Sequence, residues 1–312
     1  MHAAQTLLPI VLLIALGFGL ARIQFLGREF LNDLNKLAFF VALPAFIVRS
    51  LAEVHVPPCN AMRLLLLLAL CTVAALLLGF VLARIFGSHP ASHGSIAQCA
   101  FRGNLAYAGL PVITYALEGS ESFARQQAVG RALLVLGPLI ALFNFLAVLC
   151  LQKPDAWRLK SGWIATGKNI VSNPLILACA AGFALSITGI ELPFVVNRAL
   201  DALGAVALPV ALLCIGGSLT HIQIGGRARA IAIAVLVKIV LLPVIAAIAC
   251  FAFGITGIER LIVLVFAGSP TAAAAYTVAK QMHGDETITS AAIAISTLAA
   301  MPGLAIILYF AG

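Results

Sequence analysis

The sequence predicts an all-α membrane protein of ten transmembrane helices, arranged as two inverted five-helix repeats whose fourth and ninth helices are broken. Three observations carry this. Apolar residues make up 62% of the chain and charged residues 10%, with a mean hydropathy of +1.11. The apolar residues fall in long runs separated by short polar gaps. Landmarks in the first half return in the second at one fixed shift of 165 residues.

A chain this apolar would face water with far more hydrocarbon than a globular surface shows, so it belongs in a bilayer. Its runs span about 5-22, 34-53, 62-86, 95-117, 125-151, 169-190, 196-219, 230-253, 258-281 and 288-311. About 20 apolar residues cross a bilayer, so each run is sized for one helix. A membrane barrel would show alternating segments of about ten residues, and the pattern is absent. The gaps carry turn formers or charges: Gly27-Arg28-Glu29, Val56-Pro57-Pro58, Ser88-His89-Pro90, Gly119-Ser120-Glu121, Glu191-Leu192-Pro193, His221 to Arg229, Gly257-Ile258-Glu259 and His283 to Glu286.

Charge orients the spans. Loops after helices 1, 3, 5, 7 and 9 hold Arg22, Arg28, Lys36, Arg84, Lys153, Arg158, Lys160, Lys168, Arg227, Arg229 and Lys280. The opposite loops hold Arg63, Arg125, Arg131, Arg198 and Arg260. Basic residues favour the cytoplasmic side, so both termini are expected outside the cytoplasm, in a multi-pass plasma (inner) membrane protein. Lys and Arg outnumber Asp and Glu by 19 to 11, but they are scattered between apolar runs, which excludes a nucleic-acid surface. The seven cysteines lie mostly inside apolar runs without ligand spacing and read as small hydrophobes; no metal or other cofactor is expected. His89 and His93 flank Pro90 and read as solvated loop residues. The first run lacks the basic lead of a signal peptide, and Arg22 follows it, so it reads as a retained helix.

At the 165-residue shift, Pro9 meets Pro174, Ala15-Leu-Gly-Phe-Gly-Leu20 meets Ala180-Ala-Gly-Phe-Ala-Leu185, and Val41-Ala-Leu-Pro44 meets Val206-Ala-Leu-Pro209. Gly119-Ser-Glu-Ser122 meets Gly284-Asp-Glu-Thr287, and Gly137-Pro138 meets Pro302-Gly303. Any one match could be chance in Leu- and Ala-rich sequence; five in one register are a repeat. Each half holds an odd number of helices, so the second inserts upside down relative to the first, the plan of secondary transporters. The halves are 1–151 and 169–312, joined by a cytoplasmic linker at 152–168.

The most informative stretch is Cys99 to Glu118, which carries Arg102, Gly103, Asn104, Gly109 and Pro111 inside an apolar run. A charge at membrane depth is costly, and proline removes a helical hydrogen bond. The stretch therefore reads as an interrupted helix lining a site, against the alternative of a kink with a snorkelling arginine. A position 165 residues beyond Pro111 falls on Tyr276, in Gly268-Ser-Pro-Thr-Ala-Ala-Ala-Ala-Tyr276, which has its own Pro270 and small residues that let backbones approach. The substrate-site candidates are Arg102, Asn104, Tyr107, Gly109 and Pro111 from helix 4, with Ser269, Pro270, Thr271, Ala275 and Tyr276 from helix 9. No Asp or Glu lies deep in a span, so the Arg102 guanidinium invites an anion, its fork suiting a carboxylate; a contact to backbone carbonyls is the alternative. Half-helix amino termini add positive potential. Asn104 would hold a substrate oxygen or bridge two helices. Lys238 and Arg49 can snorkel or, less strongly, serve a second anion contact, and Asn144 reads as interhelical glue.

With Asn104-Leu-Ala-Tyr-Ala-Gly-Leu-Pro111, Val41-Ala-Leu-Pro44 and the Ser269-Pro270 to Lys280 stretch, nearly the whole chain resembles the auxin efflux carrier family, which includes plant PIN-formed carriers and bacterial malate or malonate permeases. The resemblance implies that helices 4 and 9 cross at their broken centres. Helices 1, 2, 6 and 7 would be a scaffold and homodimer contact, while helices 3–5 and 8–10 move as an elevator. It maps the family's binding asparagine onto Asn104 and its crossover proline onto Pro111. Plant members carry a second helix-nine proline where this chain has Ala275, and their long cytoplasmic loop is missing here.

The expected function is therefore carriage of small organic anions, such as malate, malonate or auxin-like acids, by alternating access among membrane lipids. A sodium-coupled symporter of the bile acid transporter type is the alternative. No Gly-rich nucleotide loop, paired acid and base, or His-Glu-x-x-His site is present, so neither a pump nor an enzyme is expected.

Overall fold

The computed structural model describes residues 2–52, 58–118, 121–151, 172–190, 192–221 and 227–311. The expected linker at 152–168 and the Gly119-Ser120 turn lie outside these. Described residues are helical throughout, save turns and one isolated β-bridge. Among the described residues, six helices are long and apolar enough to cross a membrane: Arg28–Ala52, Ala61–Ile85, Ala124–Leu151, Phe194–Ser218, Ala228–Ala252 and Glu286–Phe310. Shorter apolar helices lie at Leu7–Arg22, Leu105–Ala116 and Pro174–Thr188.

The first segment is α1 (His2–Arg22). The second joins α2 (Arg28–Leu37) to α3 (Leu43–Ala52) through a π-helical turn at Ala38–Ala42. It starts earlier than the apolar run, because α2 is amphipathic with no buried residue and its Lys36 pairs with Asp33 at 2.8 Å on the exposed side. Hydropathy registers only the apolar part of such a helix. Then come α4 (Pro58–Ile85), α5 (His93–Phe101), α6 (Leu110–Ala116) and α7 (Ser122–Leu151).

The second half begins with α8 (Pro174–Thr188), whose bounds are written in its sequence. Asn173 accepts from the N–H groups of Leu175 and Ile176 at 3.0 and 3.4 Å, Pro174 takes the first helical position, and Gly189 ends the helix at φ 65°. After it come α9 (Phe194–Ala205), α10 (Ala207–Ser218), α11 (Ala228–Leu236), α12 (Leu242–Ala252), α13 (Gly257–Gly268), α14 (Ala274–Gln281) and α15 (Glu286–Ala311).

A π-helical turn recurs at Leu105–Gly109, ahead of α6, and at Val237–Leu241, ahead of α12. Each of the three is followed, two residues on, by a proline: Pro44, Pro111 or Pro243. Proline has no N–H for the carbonyl four back and crowds it. In two of the turns the residue before the proline reaches five back instead, Leu43 to Ala38 O and Leu242 to Val237 O. Pro209 lies just after another interruption, between α9 and α10.

Contacts divide the chain into two compact units, each assembled from both sequence halves. The first is Met1–Arg63, Ala106–Pro138 and Val171–His221. In it α1 packs on α10 and α6, and α3 on α8 and α9. Glycines set the α1–α10 approach: a Cβ on Gly216 would fall on Ile14 O, and one on Gly17 on Leu213 O. Arg49 is not left to snorkel; its Nε meets Asp201 Oδ1 at 2.8 Å.

The second unit is Leu64–Leu105, Leu139–Ile170 and Ile222–Gly312. Here α5, α11 and α15 pack on one another, α13 lies against α12 and α15, and α14 against α15 and α5. Asp285 ties three chain segments together at one end. Its Oδ1 caps α15 at the N–H of Ile288 (3.0 Å), its N–H donates to Ser95 Oγ (2.8 Å), and Arg227 Nη1 and Ser92 Oγ both donate to Oδ2.

Candidate functional site

The site is built in the second unit, where α5 and α13 both stop. Arg102, at φ −76° and ψ 94°, leaves the helix, and Ser269 is extended at φ −60° and ψ 143°, the conformation favoured before Pro270. The two freed segments pair: Gly103 and Thr271 form an antiparallel bridge, with Asn104 N–H donating to Pro270 O at 2.7 Å and Ala272 N–H to Arg102 O at 2.9 Å. Backbone groups that two broken helices leave without partners thus satisfy one another.

The carbonyl ends of the first half-helices are capped by side chains. Thr271 Oγ1 donates to Cys99 O at 2.9 Å on α5, and Lys238 Nζ donates to Ala267 O at 2.6 Å on α13. Ser269 Oγ folds back to Val265 O (2.8 Å), Thr271 N–H donates to Ser296 Oγ on α15 (2.9 Å), and Gln98 Nε2 donates to Ala275 O (3.0 Å). Lys238 has 0% exposure, so it does not snorkel as one reading of the sequence allowed. A Cβ on Gly103 would lie 3.5 Å from its Nζ, so the ammonium lies beside the bridge.

Arg102 is 5% exposed. Its Nη2 donates to Asn144 Oδ1 on α7 at 2.6 Å, while its buried Nη1 has no hydrogen-bond partner among the described residues. Gln98 Oε1, one helical turn earlier, is likewise buried and unpartnered. A small apolar cavity of about 10 Å³, room for about one water, is lined in part by Phe101, Leu105, Phe143, Phe266 and Ala267.

Of the residues singled out in the sequence, the structure brings Arg102, Asn104, Ser269, Pro270 and Thr271 together at the bridge, with Ala275 held by Gln98. Tyr276 lies farther along α14, with its hydroxyl donating to Glu286 Oε2 at 2.7 Å. Tyr107, Gly109 and Pro111 belong to the first unit, where the Tyr107 hydroxyl donates to Asn35 O at 3.3 Å. The interruption is displaced from where Pro111 suggested: the chain is non-helical at Arg102 to Asn104, and Pro111 lies within the continuous helical stretch Leu105–Ala116, just after its π-helical turn. Sequence reasoning passed over Gln98 and Ser296 and underweighted Lys238 and Asn144; polar side chains inside apolar runs were the available signal.

No curated protein matched the chain. The model of one family, described as "Membrane transport protein", matches residues 2–153 and 160–308, nearly the whole sequence. With its long apolar helices and its paired helix breaks, the chain belongs to this membrane transport family of the auxin efflux carrier type, a family of multi-pass transporters.

Proposed function

We propose that the protein carries small organic anions, mono- or dicarboxylates of the malate, malonate or auxin-like kind, by alternating access without ATP. The observation that carries this is the buried Arg102 guanidinium at a helix break, with Nη1 unpartnered. A buried N–H of a charged group left without an acceptor is costly, and a carboxylate oxygen would relieve it. Asn104 would orient the substrate beside it. Among the described residues, the buried polar side chains of the second unit include Arg102 and Lys238 and no carboxylate, which supports an anion over a cation as cargo.

The rest of the reading follows the sequence. Ten spans in two inverted repeats would place both termini outside the cytoplasm of an inner-membrane protein. Helices 1, 2, 6 and 7 would form the scaffold of a homodimer, and the other six would move as an elevator. A sodium-coupled symporter needs oxygen ligands near both breaks.

The test is uptake of radiolabelled malate, malonate and indole-3-acetate into proteoliposomes, with and without sodium, for wild type, Arg102→Ala and Asn104→Ala. Saturable uptake lost in Arg102→Ala is expected. Uptake of none of the three, or wild-type uptake by Arg102→Ala, overturns the reading; strict dependence on sodium restores the symporter.

A further inference from the structure

We infer that Asn144 is a positioning residue: it holds one edge of the Arg102 guanidinium while leaving the full positive charge, and the Nη1 edge, for the substrate. This rests on the anion-carrier reading above, and it gives a role to a residue that the sequence marked only as interhelical glue.

The two chain segments meet in adjacent rungs. Phe101 and Phe143 pack with ring centroids 5.9 Å apart and planes tilted by 55°. The next residue on each segment supplies the polar rung, Arg102 Nη2 to Asn144 Oδ1 at 2.6 Å. The aromatic rung fixes α7 against the end of α5, which fixes where the amide oxygen stands. An arginine side chain has many rotamers, and holding one of its nitrogens removes most of that freedom before the substrate arrives.

The chemical choice at position 144 matters as much as the geometry. An aspartate there could take the guanidinium fork with two charged oxygens, a closed ion pair that needs nothing further. The amide oxygen here accepts one N–H of the guanidinium and cancels no charge. The buried Nη1 without a partner is what that choice leaves behind. The site is thus one negative charge short of closure, and the cargo supplies that charge. Asn144→Asp would place a permanent mimic of the substrate carboxylate in the protein.

The experiment compares wild type, Arg102→Ala, Asn144→Asp and Asn144→Leu, full length, using the best carried of malate, malonate and indole-3-acetate. Initial uptake rates give KM and kcat, and unfolding in detergent is followed with and without saturating substrate. In Asn144→Asp we expect at least a tenfold rise in KM, unfolding at or above the wild-type temperature, and no further stabilisation by substrate. In Asn144→Leu the arginine keeps its charge but not its orientation, so KM rises severalfold while saturating substrate still stabilises. A purely structural asparagine would instead lower the unfolding temperature in both variants and leave KM alone, which overturns the inference. Loss of uptake in Arg102→Ala with wild-type KM in Asn144→Asp also overturns it while sparing the anion reading. Wild-type uptake by Arg102→Ala removes both. Should Asn144→Asp fail to fold, an unchanged KM in Asn144→Leu is enough to reject it.

Discussion

Gly103 and Thr271 face each other across a bridge of two backbone hydrogen bonds, at the one place where neither of their segments is helical. The pairing leaves little room at Gly103: a Cβ there would lie 3.1 Å from Leu105 Cδ2 and 3.3 Å from Phe266 O. The leucine can rotate; the carbonyl cannot.

Gly103→Ala is therefore expected to cost about 1–3 kcal/mol, the usual range for overpacking, and Gly103→Val more. Thermal unfolding in detergent measures it. An alanine variant as stable as wild type would mean the bridge is looser than described.

How the break is made explains what the sequence could reveal. A guanidinium and an asparagine in an apolar run stand out at any distance, and so do the prolines, which is why Arg102, Asn104 and Pro270 were recognisable. Which proline interrupts a helix is another matter. Pro138 and Pro302 lie inside continuous α7 and α15, and Pro111 lies inside the helical stretch Leu105–Ala116. The gap at Arg102 to Asn104 exists because Pro270 to Ala272 lies alongside to pair with it, a contact across some 170 positions of chain that no local pattern records. Lys238 was misjudged for a similar reason, since whether a lysine reaches the surface depends on what surrounds it.

Lys238→Met is expected to fold with a stability within about 2 kcal/mol of wild type. It gives up the bond to Ala267 O but also the burden of a desolvated ammonium. Its uptake should show a KM raised severalfold, because a positive charge beside the bridge is gone. Unchanged KM would assign the lysine to the fold alone.

Gly216→Ala tests the first unit. The added methyl would land on the Ile14 carbonyl, and backbone cannot step aside without moving α1 away from α10. A loss of about 3 kcal/mol, or no folded protein, is expected. Gly19, whose Cβ would meet nothing within 4 Å, is the control, and Gly19→Ala should unfold like wild type.

At the end of the second unit, Asp285→Ala removes the cap on α15 and the acceptor of Arg227 and Ser92. Losing a cap costs about 1 kcal/mol. The ion pair adds little, since the arginine side chain is 46% exposed. Asp285→Asn keeps a capping oxygen and should recover most of the lost stability. If the two variants unfold together, charge and not capping matters there.

The widened turn at Val237–Leu241 changes how the segment Ala228–Ala252 must be read. One surplus residue in a turn advances everything beyond it by about 100° around the axis. A single helical wheel drawn from Ala228 to Ala252 therefore assigns wrong faces past the turn. Substitution scans along this segment should show sensitivity that repeats with one phase up to Leu236 and restarts with another at Leu242. The segment thereby presents two differently aimed stripes, enough to serve two neighbours.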